Sequence, residues 1–321
     1  MLNTEEFKKE INSLNMEQKK VVNEIEKNIL LLASAGTGKT KTLALRIANI
    51  IQNKKSSSEK ILCLTFTNRA CKEMKERIID TIGKDGMDVV VRTFHSFCFD
   101  VIKTEAKRNT DIASDFVIFD EEDCKEIIKE IAPNGLSSTA LQNFINYVKE
   151  FSLKIDEYNY ATILDNLAHT SLDKLRDLCN VKTYNNKYQV HIVTLNFIQQ
   201  YGDKFVERYN QILHERHGMD FNDLLIKVSR LFKSEDIFSR WSEKFKYIHI
   251  DEVQDTSMVE YRIISKLFSN NNVMMCGDYF QTIYEWRGSN PDDIFNLYKE
   301  QLSPITIVFN ENYRATQKLL Q

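Results

Sequence analysis

Glycine and proline are scarce in this sequence, which has 9 glycines and 3 prolines among its 321 residues. Their scarcity excludes collagen-like chains, low-complexity linkers and small β domains that are dense in turns. Long apolar runs are also missing, since none approaches the roughly 20 residues that a membrane-spanning helix needs. The charged N-terminus lacks the apolar core of a signal peptide, so a secreted or membrane-spanning protein is not expected.

An excess of positive charge is absent too, because 43 Lys and Arg residues face 46 Asp and Glu residues and the net charge is -3. A nucleic-acid site would therefore have to be a local groove rather than a basic surface. The six cysteines form no C-x-x-C pair and complete no zinc pattern. They predict free thiols in a reducing compartment, which favours a cytoplasmic protein.

Hydrophobic residues are plentiful, at 42% of the sequence with 19 Phe and 13 Tyr, which excludes a disordered chain. A chain of 321 residues is longer than one core comfortably serves. We therefore expect two folding units or one domain with a large insertion, and the order of the apolar segments favours the insertion.

Short, nearly continuous apolar runs predict strands that are buried on both faces of a parallel sheet. The runs are Ile29–Ala33, Ile61–Thr65, Val89–Val91, Tyr247–Ile250, Val273–Cys276 and Ile305–Phe309. Amphipathic helical patterns separate them, at Thr40–Gln52, Arg69–Ile82 and Ser257–Phe268. This alternation predicts an α/β fold whose parallel sheet carries helices on both faces.

The middle of the chain, from about residue 103 to 209, has helical periodicity and only one short apolar run, Phe116–Phe119. The predicted helices are Asp120–Ile131, Thr139–Phe151 and Tyr188–Tyr209. This block predicts a mostly helical insertion that interrupts the sheet domain.

The segment from Ala33 to Thr40 joins a predicted strand to a predicted helix in a chain that has few glycines. Phosphate groups bind to backbone N–H groups at the start of a helix, and Gly36 and Gly38 permit the tight turn that gathers these groups. Lys39 would reach the β- and γ-phosphates, and the Thr40 hydroxyl would bind Mg²⁺. The alternative is a glycine-containing turn that binds no ligand.

Asp251 and Glu252 directly follow the apolar run Tyr247–Ile250, where a phosphate loop needs a carboxylate to hold the metal. Successive side chains leave a strand on opposite sides, so the two acids can have different roles. We expect Asp251 to hold Mg²⁺ and Glu252 to polarise the attacking water, and the alternative is a solvated acidic strand end. The roughly 210 residues between Lys39 and Asp251 independently support the insertion.

Eight segments occur in the order of the motifs of one protein family. They are Leu14–Gln18, Ala33–Thr40, Thr65–Ala70, Arg92–Phe97, Asp220–Leu225, Asp251–Thr256, Gly277–Gly288 and Asn312–Arg314. Together they resemble the UvrD/Rep/PcrA family of superfamily 1 DNA helicases. The chain departs from the family pattern at Lys41, where arginine is common, and at Tyr279 and Phe280, which replace a more usual polar pair.

The resemblance implies a domain organisation. Residues 1–104 and 206–303 would form the two parts of a P-loop RecA-like domain 1A, residues 105–205 the helical insertion 1B, and residues 304–321 the opening of domain 2A. The family's later motifs V and VI do not occur in the chain. We therefore expect an N-terminal part that binds ATP and DNA and does not unwind DNA by itself.

For ATP, the resemblance implies that Gln18 reads the adenine and that Tyr313 stacks on it. The implied ATP-binding residues are Gln18, Ala33, Ser34, Ala35, Gly36, Thr37, Gly38, Lys39, Thr40, Lys41 and Tyr313. The implied catalytic residues are Lys39, Asp251, Glu252, Gln281, Arg287 and Arg314, with Mg²⁺ held by Thr40 and Asp251. The alternatives are a surface position for Gln18, surface ion pairs for Arg287 and Arg314, and core packing for Tyr313.

For DNA, a motor that tolerates any sequence should stack bases on aromatic rings, because every base has a π-face. The implied stacking residues are Phe66, Tyr284 and Trp286, and the implied backbone-phosphate ligands are Thr67, Asn68, Thr93 and His95. Core packing for Phe66 and a buried structural histidine for His95 are the alternatives. The implied partners are single-stranded DNA and a 3′-tailed duplex.

The favoured function is therefore an ATP-dependent DNA translocase or helicase, with 3′ to 5′ polarity by resemblance. A nucleotide- and DNA-binding module without motor activity stays open. So does the choice between a DNA-repair helicase and the helicase part of an AddA-like helicase–nuclease. A P-loop phosphotransferase is disfavoured, because it predicts none of the segments around His95, Trp286 and Tyr313.

Overall fold

The computed structural model describes residues 4–108, 115–159, 161–163, 172–183, 185–278 and 291–313. The chain divides into two compact units, which we call unit 1 (Met1–Phe97 and Lys233–Gln321) and unit 2 (Cys98–Phe232). No helix in the described part of the chain is both long enough and apolar enough to span a membrane.

The strands, in chain order, are β1 (Ile29–Ala33), β2 (Ile61–Thr65), β3 (Val90–Thr93), β4 (Val117–Ile118), β5 (Asn180–Lys182), β6 (Tyr188–Val190), β7 (Gly218–Met219), β8 (Tyr247–Ile250), β9 (Asn272–Gly277) and β10 (Ile305–Phe309). The helices are α1 (Thr4–Asn12), α2 (Met16–Asn23), α3 (Lys39–Gln52), α4 (Asn68–Ile82), α5 (Phe94–Ala106), α6 (Glu121–Ile131), α7 (Ser138–Ile155), α8 (Leu172–Leu178), α9 (Ile192–Glu215), α10 (Phe221–Leu231), α11 (Glu235–Lys244), α12 (Met258–Ser265) and α13 (Pro291–Leu302). Single 3₁₀ turns occur at Ser58–Lys60, Gly83–Met87, Val253–Asp255 and Lys266–Phe268.

Unit 1 is built on a six-stranded sheet in the order β10-β1-β9-β8-β2-β3, and every pairing in it is parallel. All residues of β2 and β8 are buried, which explains why their sequences are almost continuously apolar. The predicted α/β fold is confirmed. Because the strands run in one direction, the segments that follow β1, β2, β3, β8 and β9 emerge along the same edge of the sheet.

Local sequence signals fix the helix starts at this edge. α2 begins with a capping box, in which Asn15 Oδ1 accepts the N–H of Gln18 at 2.9 Å and Gln18 Oε1 accepts the N–H of Asn15 at 3.1 Å. α4 is capped by Thr67, whose Oγ1 accepts the N–H of Ala70 at 3.0 Å. Gln18 and Thr67, which are both predicted site residues, therefore also fix where α2 and α4 begin.

The core of unit 2 is formed by α6, α7 and α9, with apolar side chains such as Ile128, Phe144 and Val206 fully or almost fully buried. A buried ion pair joins α7 to the start of α10, since Lys149 Nζ lies 2.6 Å from Asp220 Oδ2 and 2.8 Å from Asp223 Oδ1. Two carboxylates and further hydrogen bonds offset the cost of burying the ammonium group.

The predicted helix Tyr188–Tyr209 begins later than expected, at Ile192. Tyr188–Val190 instead forms β6, which pairs antiparallel with β5. The turn between them contains Asn186 at φ 59°, a left-handed conformation that asparagine tolerates, and Thr183 donates its N–H to Lys187 O at 2.7 Å. Pairing of this hairpin overrides the helical periodicity.

The two compact units meet at 97/98 and at 232/233, where the predicted ranges meet at 104/105 and 205/206, and unit 1 also includes the residues after 303. α9 is one continuous helix of 24 residues, and Tyr209 and Leu213 near its end are buried in the core of unit 2. β10 pairs in parallel with β1, and its Ile307 and Phe309 are buried in the core of unit 1. Residues 305–309 therefore belong to the sheet of unit 1, while the assignment of the units to helicase domains 1A, 1B and 2A stays a prediction.

Candidate functional site

The loop between β1 and α3 has the backbone form that a phosphate-binding loop needs. Gly36 and Gly38 both have φ 85°, in the left-handed region that favours glycine. Thr37 Oγ1 donates to Ser34 O at 2.8 Å across the turn. In the described structure no side chain caps α3 after Gly38, so the N–H groups of the first turn point to the space that an anion would fill.

Gln18 packs directly against this loop. Its Nε2 donates to Thr37 O at 3.0 Å, and the side chain is 5% exposed. A Cβ atom at position 38 would lie 2.8 Å from Gln18 Nε2, so a larger residue would displace the Gln18 amide, and the left-handed backbone at this position favours glycine in any case. Both ends of the Gln18 amide are engaged, on Thr37 and on Asn15, and adenine reading by Gln18 stays a prediction.

Two residues that follow β10 also reach the loop. Asn312 Nδ2 donates to Ala35 O at 2.9 Å, and the Tyr313 N–H donates to Gly36 O at 2.9 Å. The Tyr313 side chain is 59% exposed, which excludes the core-packing alternative. Its ring is therefore accessible for stacking beside the phosphate loop, as the resemblance implies.

Lys41, in the first turn of α3, forms an ion pair with a residue of α1. Its Nζ lies 2.7 Å from Glu10 Oε2 on α1, and both side chains are substantially exposed. An exposed pair of this kind contributes little to stability. The structure thus gives Lys41 a partner outside the loop, and its predicted nucleotide contact is untested.

Lys39 and Glu252 form the central contact of the site. Lys39 Nζ lies 3.1 Å and 3.3 Å from the two carboxylate oxygens of Glu252, although the residues are 213 positions apart. Burial by itself lowers the pKa of Lys39, but the nearby Cys276, Asp251 and Glu252 raise it by more. Burial also raises the pKa of the Cys276 thiol. That thiol stays neutral, so the lasting charges that hold Lys39 protonated are the two carboxylates.

Asp251 and Glu252 are fixed by the end of β8. The Asp251 N–H donates to Leu64 O at 2.8 Å, which continues the pairing of β8 with β2. Asp251 Oδ1 accepts the N–H of Glu252 at 3.0 Å. Glu252 has φ 54°, a left-handed conformation that costs a non-glycine residue about 1–3 kcal/mol. The fold thus holds the backbone of the predicted catalytic base in a strained conformation.

Negative charge is in excess around Lys39. Burial and the charge of Glu252 raise the pKa of Asp251 to about 6 and that of Asp255 to about 6. Asp255 Oδ1 is buried and has no hydrogen-bond partner among the described residues. Among the described residues no three His, Cys, Asp or Glu side chains are grouped so that they could hold a metal ion by themselves, so a bound cation would also need ligands from the nucleotide. Because Mg²⁺ is commonly bound through one or two carboxylates and substrate phosphates, Asp251 with Thr40 is a suitable set of protein ligands.

Replacing Asp251 by asparagine should stabilise the nucleotide-free protein by about 1–3 kcal/mol at neutral pH. The raised pKa means that the fold disfavours the ionised carboxylate, so stability is greatest below the unfolded pKa near 4 and falls as pH rises through about 6. Melting temperatures at pH 4 and pH 7.5 test this, and the advantage of the variant should disappear at pH 4. Asp80→Asn, at an exposed position of α4, is the control. A destabilised variant at pH 7.5 would contradict the prediction.

Gln254 is a site residue that the sequence-based set of catalytic and binding residues does not include. Its Nε2 donates to Glu252 Oε2 at 2.7 Å, and its Oε1 accepts the N–H of Asp278 at 2.9 Å. The signal was its place in the segment Asp251–Thr256, two residues after the predicted base. Residue spacing did not show that the 3₁₀ turn at Val253–Asp255 would place that amide against Glu252.

Five of the seven predicted DNA-binding residues lie just after the carboxyl ends of β2 and β3 or at those ends. Phe66 is half-buried, and Thr67 and Asn68 are exposed at the start of α4. Thr93 Oγ1 donates to Ser96 Oγ at 2.9 Å, and His95 Nδ1 lies 3.8 Å from Glu260 Oε1. Thr93, His95 and the α4 cap Thr67 thus already have protein partners, and Thr67 and Asn68 are also exposed to solvent.

Five predicted residues lie outside the described residues, and the structure does not test them. They are Gln281, Tyr284, Trp286, Arg287 and Arg314. The site that the structure describes consists of the phosphate loop, the acidic turn after β8, and the Gln18 and Tyr313 side chains beside the loop.

The chain is similar to known proteins over most of its length. A family model described as the UvrD/REP helicase N-terminal domain matches residues 14–301. A probable DNA helicase II homologue of Mycoplasma capricolum subsp. capricolum is 32% identical over 309 residues, which are 96% of this chain and 40% of that protein.

The ATP-dependent DNA helicase PcrA of Leuconostoc citreum is 30% identical over 312 residues, which are 96% of this chain and 38% of that protein. PcrA of Staphylococcus aureus strain Mu50 is 30% identical over 312 residues, which are 97% of this chain and 39% of that protein. The chain thus spans about 40% of the length of the curated relatives that it matches. It belongs to the UvrD/REP helicase N-terminal domain family.

Proposed function

We propose that this chain binds and hydrolyses Mg²⁺-ATP as the nucleotide-binding part of a DNA translocase or helicase. The observation that supports this most strongly is the contact of Lys39 with Glu252. This contact brings the loop after β1 within hydrogen-bond distance of the acidic turn after β8. Transfer of the γ-phosphoryl group to water requires the phosphate-binding and water-activating groups to be this close.

The geometry suggests how the residues of this chain would act. The γ-phosphate of ATP carries more negative charge than one carboxylate, so it would draw the Lys39 ammonium group away from Glu252. Glu252 would then be free to accept a proton from the attacking water. Bound Mg²⁺, held by Thr40 and Asp251, would neutralise charge on the phosphates. The backbone N–H groups of residues 36–40 would hold the phosphate oxygens in place.

Single-stranded DNA is the polymer that this site would act along, and a 3′-tailed duplex is its helicase substrate. The residues that follow β2 and β3 emerge on the same sheet edge as the nucleotide site, so ATP turnover and DNA contacts share one framework. The relatives named as ATP-dependent DNA helicases support this reading. The alternative, a binding module without motor activity, predicts that ATP turnover does not respond to DNA.

ATP turnover with and without single-stranded DNA distinguishes these two functions. We expect the chain to bind Mg²⁺-ATP and to hydrolyse it faster when single-stranded DNA is present. Turnover that is measurable but unchanged by DNA would support the binding module. Absence of both binding and turnover would contradict the proposal.

Phe66→Ala should weaken binding of single-stranded DNA by about 1–3 kcal/mol, the usual contribution of one aromatic ring that stacks on a base. The half-buried ring at the end of β2 is placed for such stacking. Fluorescence anisotropy with a labelled oligonucleotide, at two salt concentrations, measures the change. Phe221→Ala, another partly accessible phenylalanine, serves as the control. Equal affinities for wild type and Phe66→Ala would assign Phe66 to packing alone.

A further inference from the structure

Gln254 connects two points of the site through the two ends of its side-chain amide. Its Nε2 lies 2.7 Å from Glu252 Oε2, and its Oε1 lies 2.9 Å from the N–H of Asp278 directly after β9. The orientation of this amide is set by chemistry. The backbone N–H of Asp278 can only donate, so the amide oxygen must face it and the amide NH₂ group must face the carboxylate.

The surroundings leave this amide little freedom. Gln254 is 4% exposed. A Cβ atom at position 277 would lie 2.9 Å from Gln254 Oε1, so glycine at that position makes room for the amide. The 3₁₀ turn Val253–Asp255 and the left-handed backbone of Glu252 fix the direction from which Gln254 approaches the carboxylate.

Glu252 therefore has two partners of different character, Lys39 on the phosphate loop and Gln254 on its own turn. A phosphate group competes with Glu252 for Lys39, because it attracts the ammonium charge. It does not compete for Gln254, whose amide is neutral, buried and tied to Asp278. When Lys39 contacts the phosphate, Gln254 is the partner that still holds the carboxylate.

We propose that Gln254 is a positioning residue that keeps the Glu252 carboxylate directed at the attacking water once Lys39 has moved to the nucleotide. This inference rests on the proposed hydrolysis of ATP at this site. A proton acceptor must stay within hydrogen-bond reach of the water, and displacement by about 1 Å can cost about 10²-fold in rate. Nucleotide binding itself depends on the loop and Lys39, and so does not need Gln254.

Two variants separate this role from simple packing. Gln254→Glu keeps the shape and can still accept the Asp278 N–H, but it places a second carboxylate against Glu252. Gln254→Leu removes both hydrogen bonds. The double variant Glu252→Gln with Gln254→Glu exchanges donor and acceptor and restores a hydrogen bond between the two side chains. Gln142→Leu is the matched control, a glutamine that is 8% exposed in unit 2 and donates to Glu121 O.

The experiment measures melting temperature, ATP affinity and kcat for the chain and these variants. We expect both single substitutions at Gln254 to lower kcat by about 10²-fold with ATP affinity changed less than about threefold. The double variant should regain the stability that Gln254→Glu loses and stay inactive, and Gln142→Leu should keep wild-type turnover.

Unchanged kcat in both single variants, or a loss of ATP affinity as large as the loss of kcat, would overturn the inference. Absence of any recovery of stability in the double variant would show that the contact with Glu252 is not what Gln254 provides. A wild-type chain that neither binds nor hydrolyses ATP would instead contradict the proposed function, and this inference with it.

Discussion

Replacing Glu252 by glutamine should lower ATP turnover by about 10²–10⁴, the usual contribution of a general base, while ATP binding is retained. Glutamine keeps the size of the side chain and can still lie near Gln254, but it cannot take a proton from water. The structure adds a second expectation. Glu252 Oε2 lies 3.1 Å from Lys39 Nζ and so holds the ammonium group. Loss of this competing charge should leave Lys39 freer to bind phosphate and should raise ATP affinity.

Single-turnover hydrolysis and equilibrium binding of ATP, measured on the same preparations, separate the two effects. Asp80→Asn, which removes an exposed carboxylate from α4, controls for the change of net charge. Turnover equal to wild type would place the base elsewhere. Reduced ATP affinity would show that Glu252 contributes to binding and does not restrain Lys39.

Lys39→Ala should abolish the stabilisation of the chain by Mg²⁺-ATP and lower residual turnover by at least about 10²–10³, as the loss of one charge-stabilising donor does. Lys39 is the ammonium group of the phosphate loop, and its side chain is only 10% exposed. Its removal also leaves Asp251, Glu252 and Asp255 without their nearest positive charge. Bound phosphates would then lack the ammonium group and would also be repelled by these carboxylates.

The thermal shift caused by Mg²⁺-ATP measures this effect directly, since a ligand at 100 times its Kd adds about 2.7 kcal/mol of stability. Lys55→Ala is a matched control, because Lys55 Nζ also pairs with a glutamate, Glu26, at 2.6 Å but on an exposed surface. The control should keep the full shift. An equal thermal shift in Lys39→Ala would contradict the assignment of the loop as the phosphate-binding site.

The α/β fold, the phosphate loop with Lys39 and the acidic pair after β8 could be predicted, because each is marked by a short, continuous stretch of sequence. Ile61–Thr65 and Tyr247–Ile250 are apolar throughout, as strands buried on both faces must be, and both lie in the sheet interior. Gly36 and Gly38 stand out in a glycine-poor chain, and both adopt the left-handed conformation that the turn requires. The two acids after β8 could be predicted because they come directly after an apolar run in the sequence.

Contacts between distant segments could not be predicted in this way. Residue spacing does not show that Lys39 would rest on Glu252, that Lys41 would pair with Glu10, or that Gln254 would reach Asp278. These contacts depend on side-chain directions at strand ends and turns. The prediction that Tyr188–Val190 is helical was wrong for another reason, because pairing with β5 outweighs the helical periodicity of this segment.

A crystal structure of the chain with Mg²⁺ and a non-hydrolysable ATP analogue tests the central claim most directly. We expect phosphates in the loop of residues 33–40, with Lys39 Nζ moved from Glu252 to a phosphate oxygen. We also expect Mg²⁺ next to Thr40 and Asp251, and Glu252 still hydrogen-bonded to Gln254. An analogue bound elsewhere, with the contact between Lys39 and Glu252 unchanged at about 3 Å, would contradict the account.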